Sequence, residues 1–118
     1  MSHSMELPVL DEHMWIELKD IMEDDFGLLL ETFLNDAVAR LVSIDDAIFV
    51  TDVSALREAA HSLKGSCGNI GAVRLSSLAS NLEQQTRLID WTLARTSFTE
   101  MQAEYAQLQK LIQQELPS

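Results

Sequence analysis

Helix-breaking residues are scarce in this chain. It has four glycines and two prolines in 118 residues; three of the glycines stand at 65, 68 and 71, and the prolines at 8 and 117. Long uninterrupted helices are the natural consequence, because Gly and Pro are the residues that most often end them. Cysteine is limited to Cys67, so no internal disulfide can form, which suits a reducing compartment and sets the cytoplasm as the expected location. Positive charge is also sparse. Eight basic against nineteen acidic residues give a formal charge of −11 and an isoelectric point near 4.4. That balance excludes nucleic acid as a partner, since such binding draws on phosphate neutralisation. An anionic membrane surface is disfavoured for the same reason. No apolar run approaches the roughly 18 residues that span a bilayer, and the first residues lack the basic, apolar, small-residue order of a secretory signal.

What remains is 47% apolar and 23% charged, the balance of a soluble domain able to bury roughly two-thirds of its unfolded surface. Residues 1–8, opening Met1-Ser2-His3-Ser4-Met5, read as a disordered start or a cloning remnant, and 9–116 as one helical domain. Apolar residues three and four apart mark five segments. The first carries Leu10, Trp15, Leu18, Ile21 and Met22 and ends near Glu23-Asp24-Asp25. A long second one carries Phe26, Leu30, Phe33, Ala37, Leu41, Ile44 and Ile48. Asp52 is a good N-cap for a third, running through Leu56, Ala60, Leu63 and Cys67 to Ile70, where Gly71 suits a left-handed cap. A fourth holds Leu75, Leu78, Leu82, Thr86 and Ile89. Asp90 caps a fifth, seamed by Ala94, Phe98, Met101, Tyr105, Leu108 and Ile112. Short connections make neighbours antiparallel. The expected fold is all-α: an antiparallel four-helix bundle of segments two to five, with the first helix capping one end.

The third segment carries the chemistry. At about 100° per residue, Gly68 lies about 20° from His61, Arg57 and Gly65 about 40°, and Glu58 and Lys64 about 60°. Val53, Leu56, Ala60, Leu63 and Cys67 fall on the opposite side, so His61 stands amid the solvent face. Glycines that serve helix–helix approach belong on the core face, and each costs roughly 1 kcal/mol in a helix interior. Here Gly65 and Gly68 are on the exposed face, where they leave an imidazole open to something large. A neutral imidazole at pH 7 has one nitrogen lone pair free for attack. The product of phosphoryl capture gains close to two negative charges, which Lys64 can stabilise. The pattern points to nucleophilic chemistry by His61 on a phosphoryl group held by another molecule.

The stretch His61-Ser62-Leu63-Lys64-Gly65-Ser66-Cys67-Gly68-Asn69-Ile70-Gly71-Ala72, followed by Leu75, resembles the signature of histidine-containing phosphotransfer (HPt) domains, His-x-x-Lys-Gly and then Gly-Ala at the next helix start. Leu78…Leu82-Glu83, the length and the acidity are similar to stand-alone members of that family. Met22-Glu23-Asp24-Asp25-Phe26 and Leu30-Glu31-Thr32-Phe33 resemble its bacterial HptB-like branch. The resemblance implies a phosphocarrier without kinase activity of its own, passing a phosphoryl group between aspartates of two receiver domains, from a hybrid sensor kinase to a response regulator; an acidic bundle with one exposed reactive histidine is most simply a monomer. His61 then aligns with the phosphoacceptor, Lys64 with the supporting lysine, Gly65 with the access glycine and Gly71 with the turn glycine. It also implies that the receiver supplies the Mg²⁺ and that this chain binds no cofactor or metal. Arg57, Gly68 and Arg74 complete the expected partner surface, in which Arg57, Lys64 and Arg74 would form a basic island on an acidic protein.

Three rivals are weaker. Glu58-Ala59-Ala60-His61 is one Glu-x-x-His, but a di-iron bundle needs two such motifs pointing inward. A histidine kinase places an acidic residue and a proline after its histidine and needs a nucleotide loop, and neither pattern occurs here. A bundle that docks to a signalling partner without carrying phosphate is the alternative that an assay must separate.

Overall fold

A computed structural model describes residues 7–116; the residues of the expected disordered start numbered 1–6 lie outside that range. Five α-helices follow one another: α1 (Glu12–Met22), α2 (Phe26–Phe49), α3 (Val53–Ile70), α4 (Val73–Gln85) and α5 (Trp91–Glu115), with 3₁₀ turns at Glu23–Asp25 and Thr86–Leu88. Helix α2 packs on α3 and α5, α4 packs on α3 and α5, and α1 rests on α2 and α3. Four helices thus close a bundle, and α1 covers one end.

The starts and stops follow from local chemistry. Asp11, Asp52 and Asp90 each turn a side-chain oxygen back to the backbone N–H three residues on, of Met14, Ala55 and Leu93, which satisfies a donor that the helix itself leaves free. Helix α3 ends because Gly71 takes φ 73°, a left-handed geometry that costs glycine little. A Cβ there would also sit 3.1 Å from Met14 Sδ and 3.2 Å from Asp11 Cβ. Gly71 is therefore the point where the first turn of α1 presses on the α3–α4 corner, and its carbonyl accepts from the Asp11 amide at 2.8 Å.

The core is one apolar cluster in which Leu30, Ile44, Leu56, Leu63, Leu75, Leu82, Met101, Leu108 and Ile112 are fully buried. Each such side chain is worth roughly 1.5–3 kcal/mol of burial. Trp15 fixes α1 to this core. It meets Phe26 edge-on, with ring centroids 5.4 Å apart, and its indole N–H donates to the Ile70 carbonyl. Two expectations need correction. Ile21 is 72% exposed, because six residues turn it about 120° away from Trp15. The fourth helix stops at Gln85 rather than running through Ile89. The Thr86 hydroxyl donates to the Glu83 carbonyl at 2.6 Å, and the chain tightens into a 3₁₀ turn there.

Candidate functional site

Helix α3 is anchored on one side and bare on the other. Leu56, Ala60, Leu63 and Cys67 are fully buried, and they bracket His61 on both sides along the helix. Burial pushes the Cys67 thiol up to about 12, with the nearby Asp36 charge acting in the same sense. Polar contacts fix the helix laterally: the Ser66 hydroxyl donates to Asp36 Oδ2 on α2 at 2.7 Å, and Ser76 on α4 donates to the Lys64 carbonyl. The His61 side chain, held on this rigid base, is 65% exposed.

Its partner comes from the neighbouring helix. Glu83 on α4 places Oε2 at 2.9 Å from His61 Nδ1 and Oε1 at 2.8 Å from Lys64 Nζ. The hydrogen bond from Lys64 holds the Glu83 carboxyl below the usual carboxylate range; partial desolvation opposes this, and the contact with His61 reinforces it. Glu83 is therefore ionised at neutral pH and can only accept, so His61 Nδ1 carries the proton in this contact. In the neutral ring the lone pair is then on Nε2, which has no hydrogen-bond partner among the described residues. One carboxylate selects the tautomer and orients the ring, a role that carboxylates serve for many reactive histidines.

Space around the ring is kept by omission. A Cβ added at Gly65 or Gly68 would meet nothing within 4 Å, so neither glycine serves close helix packing. Both leave backbone facing solvent on the stripe that holds His61. Arg57, one turn before the histidine, donates from Nε to the Thr86 hydroxyl at 3.1 Å, which ties α3 to the 3₁₀ turn after α4.

Arg74 is not brought to this group. Its guanidinium donates to the Leu7 carbonyl from Nε at 2.9 Å and from Nη2, and lies 3.5 Å from Glu104 of α5 through Nη1. Nine residues separate Arg74 from Glu83, which puts them about 180° apart around α4. If Glu83 faces His61, Arg74 must face away. Glu104 is 95% buried, its relative exposure being 5%, and burial raises its carboxyl pKa while Arg74 pulls it down.

Glu83 is the residue that sequence reasoning undervalued. In the sequence it stands out only within Leu78…Leu82-Glu83, as part of the family resemblance, yet among the described residues it is the one group that touches both His61 and Lys64. Its signal was available: Leu75, Ala79 and Leu82 define the buried side of α4, and Glu83 flanks that side towards α3. His13 forms an exposed pair with Glu17. No group of three or more His, Cys, Asp or Glu residues capable of holding a metal is found among the described residues. Glu58, the acidic member of the Glu-x-x-His motif, is exposed.

Among curated proteins, none matches the chain. The family model described as Hpt domain matches residues 28–114, which takes in nearly all of α2 and the whole of α3 and α4, and reaches the last turn of α5. Among solved structures, the crystal structure of histidine-containing phosphotransfer protein B (HptB) from Pseudomonas aeruginosa PAO1 is 37% identical, with a TM-score of 0.88 over 92% of this chain and 94% of that one. A helical bundle of this order, an exposed imidazole steadied by a carboxylate, and a family match across most of the sequence agree: the chain belongs to the Hpt domain family, the histidine phosphotransfer proteins of two-component phosphorelays.

Proposed function

We propose that the chain carries a phosphoryl group on His61 Nε2, received from the aspartyl phosphate of one receiver domain and delivered to the aspartate of another. The reading rests on one observation above the rest: Glu83 holds Nδ1 while Nε2 is left unpartnered in an exposed side chain. In the forward step the Nε2 lone pair attacks phosphorus, the P–N bond forms, and the P–O bond to the aspartyl carboxyl breaks. The carboxylate leaves with the electron pair. Nδ1 keeps its proton, so the phosphorylated ring is cationic and lies against the anionic Glu83. The reverse sequence discharges the group onto the next aspartate.

Lys64 stabilises the phosphoryl oxygens, turning towards them from its position against Glu83. Arg57, Gly65 and Gly68 form the surface on which the receiver docks. Mg²⁺ belongs to the acidic pocket of the receiver, and His61 acts as a carrier rather than as a kinase that consumes ATP. No helix among the described residues is long and apolar enough to cross a membrane. The carrier works in the cytoplasm, where a lone cysteine stays reduced, and a single carrier histidine per bundle needs no second copy.

Incubating the protein with a phosphorylated receiver tests the reading. Acid-labile, alkali-stable label is expected on wild-type protein and none on His61→Ala, with unchanged circular dichroism. If a complex forms but label never reaches His61, the bundle is a docking adaptor and the carrier reading fails.

A further inference from the structure

Beside His61, the C-terminal end of α4 and the middle of α3 enclose a cleft of about 220 Å³ lined by Arg57, Lys64, Glu83, Thr86 and Arg87. Three of the eight basic residues of a chain with charge −11 therefore line one small opening. Their states differ. Lys64 is paired with Glu83, and both oxygens of Glu83 are already engaged. Among the described residues, Lys19, Arg40, Arg74 and Arg95 also have a carboxylate within ion-pair distance, whereas Arg57, Arg87 and, away from this cleft on α5, Lys110 have none. In so acidic a protein, two guanidinium groups left without a carboxylate and set in the same cleft are a concentrated exception.

The cleft is also braced. Thr86 is buried; its hydroxyl accepts from Arg57 Nε and donates to the Glu83 carbonyl. This chain of bonds fixes the 3₁₀ turn to α3, so Arg87 and Leu88 are presented from a fixed base. Leu88 is 91% exposed, an apolar side chain directly beside the cation.

We infer that the Thr86–Leu88 turn is a recognition element for the receiver, with Arg57 and Arg87 taking a carboxylate of the partner in this cleft and Leu88 seating against an apolar neighbour. The inference rests on the phosphotransfer reading and extends it to partner choice. The occupant is an acidic protein surface rather than the travelling phosphoryl group, since His61 turns Nδ1 towards Glu83, which lines the cleft, and so turns Nε2, where the phosphoryl group rides, away from it. Charges at such a rim act mainly on encounter rate and its salt dependence.

The test compares two phosphodonors. One is a purified, phosphorylated receiver domain chosen because it charges wild-type His61; the other is phosphoramidate, which needs no docking. With Arg87→Glu the second-order rate from the receiver is expected to fall about tenfold at low ionic strength, the deficit shrinking as salt is added. The phosphoramidate rate should stay within about twofold, because small-molecule attack involves no steered encounter. Lys110→Glu on α5 makes the same change in net charge and should match wild type. Equal receiver rates for Arg87→Glu and wild type would overturn the inference. So would an equal loss with both donors, or a Lys110→Glu protein as slow as Arg87→Glu. If wild type accepts label from no receiver, the phosphotransfer reading itself falls, an outcome distinct from these.

Discussion

Two glutamates of this bundle each face a cation on another part of the chain, and they behave in opposite ways. Glu83 meets Lys64 and His61 in a half-exposed setting, and its carboxyl is held below the ordinary range. Glu104 meets Arg74 almost out of reach of water, and its carboxyl is pushed up. The residue types are nearly the same; access to solvent differs. In water a Lys–Glu pair is worth about 0–1 kcal/mol, so Lys64 can leave Glu83 for an incoming phosphoryl group at little expense. A buried carboxylate that loses its cation has no such freedom. The first pair is suited to motion and chemistry. The second is joined to the segment before α1 through the Leu7 carbonyl, which accepts from Arg74.

The contrast can be broken most forcefully at Arg74. Arg74→Ala leaves Glu104 buried without its counter-ion and should cost roughly 2–4 kcal/mol at pH 7, at or just below the range for breaking a buried pair. Urea unfolding measures it. Because the folded pKa of Glu104 lies above its unfolded value, the folded state binds the proton more tightly, and lowering the pH favours it. The deficit of Arg74→Ala should therefore narrow as the pH falls through the folded pKa of Glu104. A deficit that is constant with pH would mean that Arg74 acts only through Leu7.

Next in size is Gly65→Leu, which separates stability from access. Replacing an exposed helical glycine should raise stability by about 0.5–1 kcal/mol, yet slow transfer from a receiver roughly tenfold, about 1.4 kcal/mol in the barrier. Denaturation and transfer kinetics on the same preparation would show opposite signs. A stabilised protein with undiminished transfer would mean that the bare backbone beside His61 has no part in docking.

The smallest structural effect belongs to Lys64→Ala. Its stability should change by less than about 1 kcal/mol, as expected for an exposed pair, while transfer slows but persists because the nucleophile remains. Glu83 has a folded pKa below its unfolded one, so its contribution to stability is present above the unfolded value and is lost as the pH falls through the folded value. In Lys64→Ala that acid-side loss should be smaller, as seen in thermal midpoints followed from neutral pH down through the carboxylate range. A variant as inactive as His61→Ala would make Lys64 indispensable rather than supportive.

Much of this was legible in one dimension because α-helices preserve angular order. The alternation of Leu56, Ala60, Leu63 and Cys67 against Arg57, His61, Gly65 and Gly68 places both faces of α3 from the sequence alone, and the aspartate caps Asp52 and Asp90 mark where α3 and α5 begin. Relations between helices were harder. Glu83 is 22 residues from His61, and their meeting depends on how α4 is rotated about its own axis, which the buried positions of α4 settle only once its neighbour is known. Arg74, expected with Arg57 and Lys64 in one basic island, is subject to the same rotation: half a turn of helix from Glu83 sends it to Leu7 and to Glu104 of α5. The 3₁₀ turn at Thr86–Leu88 is hidden in the sequence because Thr86 continues the apolar register of α4, while its hydroxyl bonds back to the Glu83 carbonyl.

The thiol of Cys67 lends itself to measurement. Sealed inside the bundle and protonated at any physiological pH, it offers almost no thiolate to an electrophile while the fold is closed, since thiolate is the reactive form. Modification by a disulfide reagent must then wait for α3 to come away from its neighbours. The labelling rate of the unaltered protein is thus an intrinsic clock for the transient opening of α3.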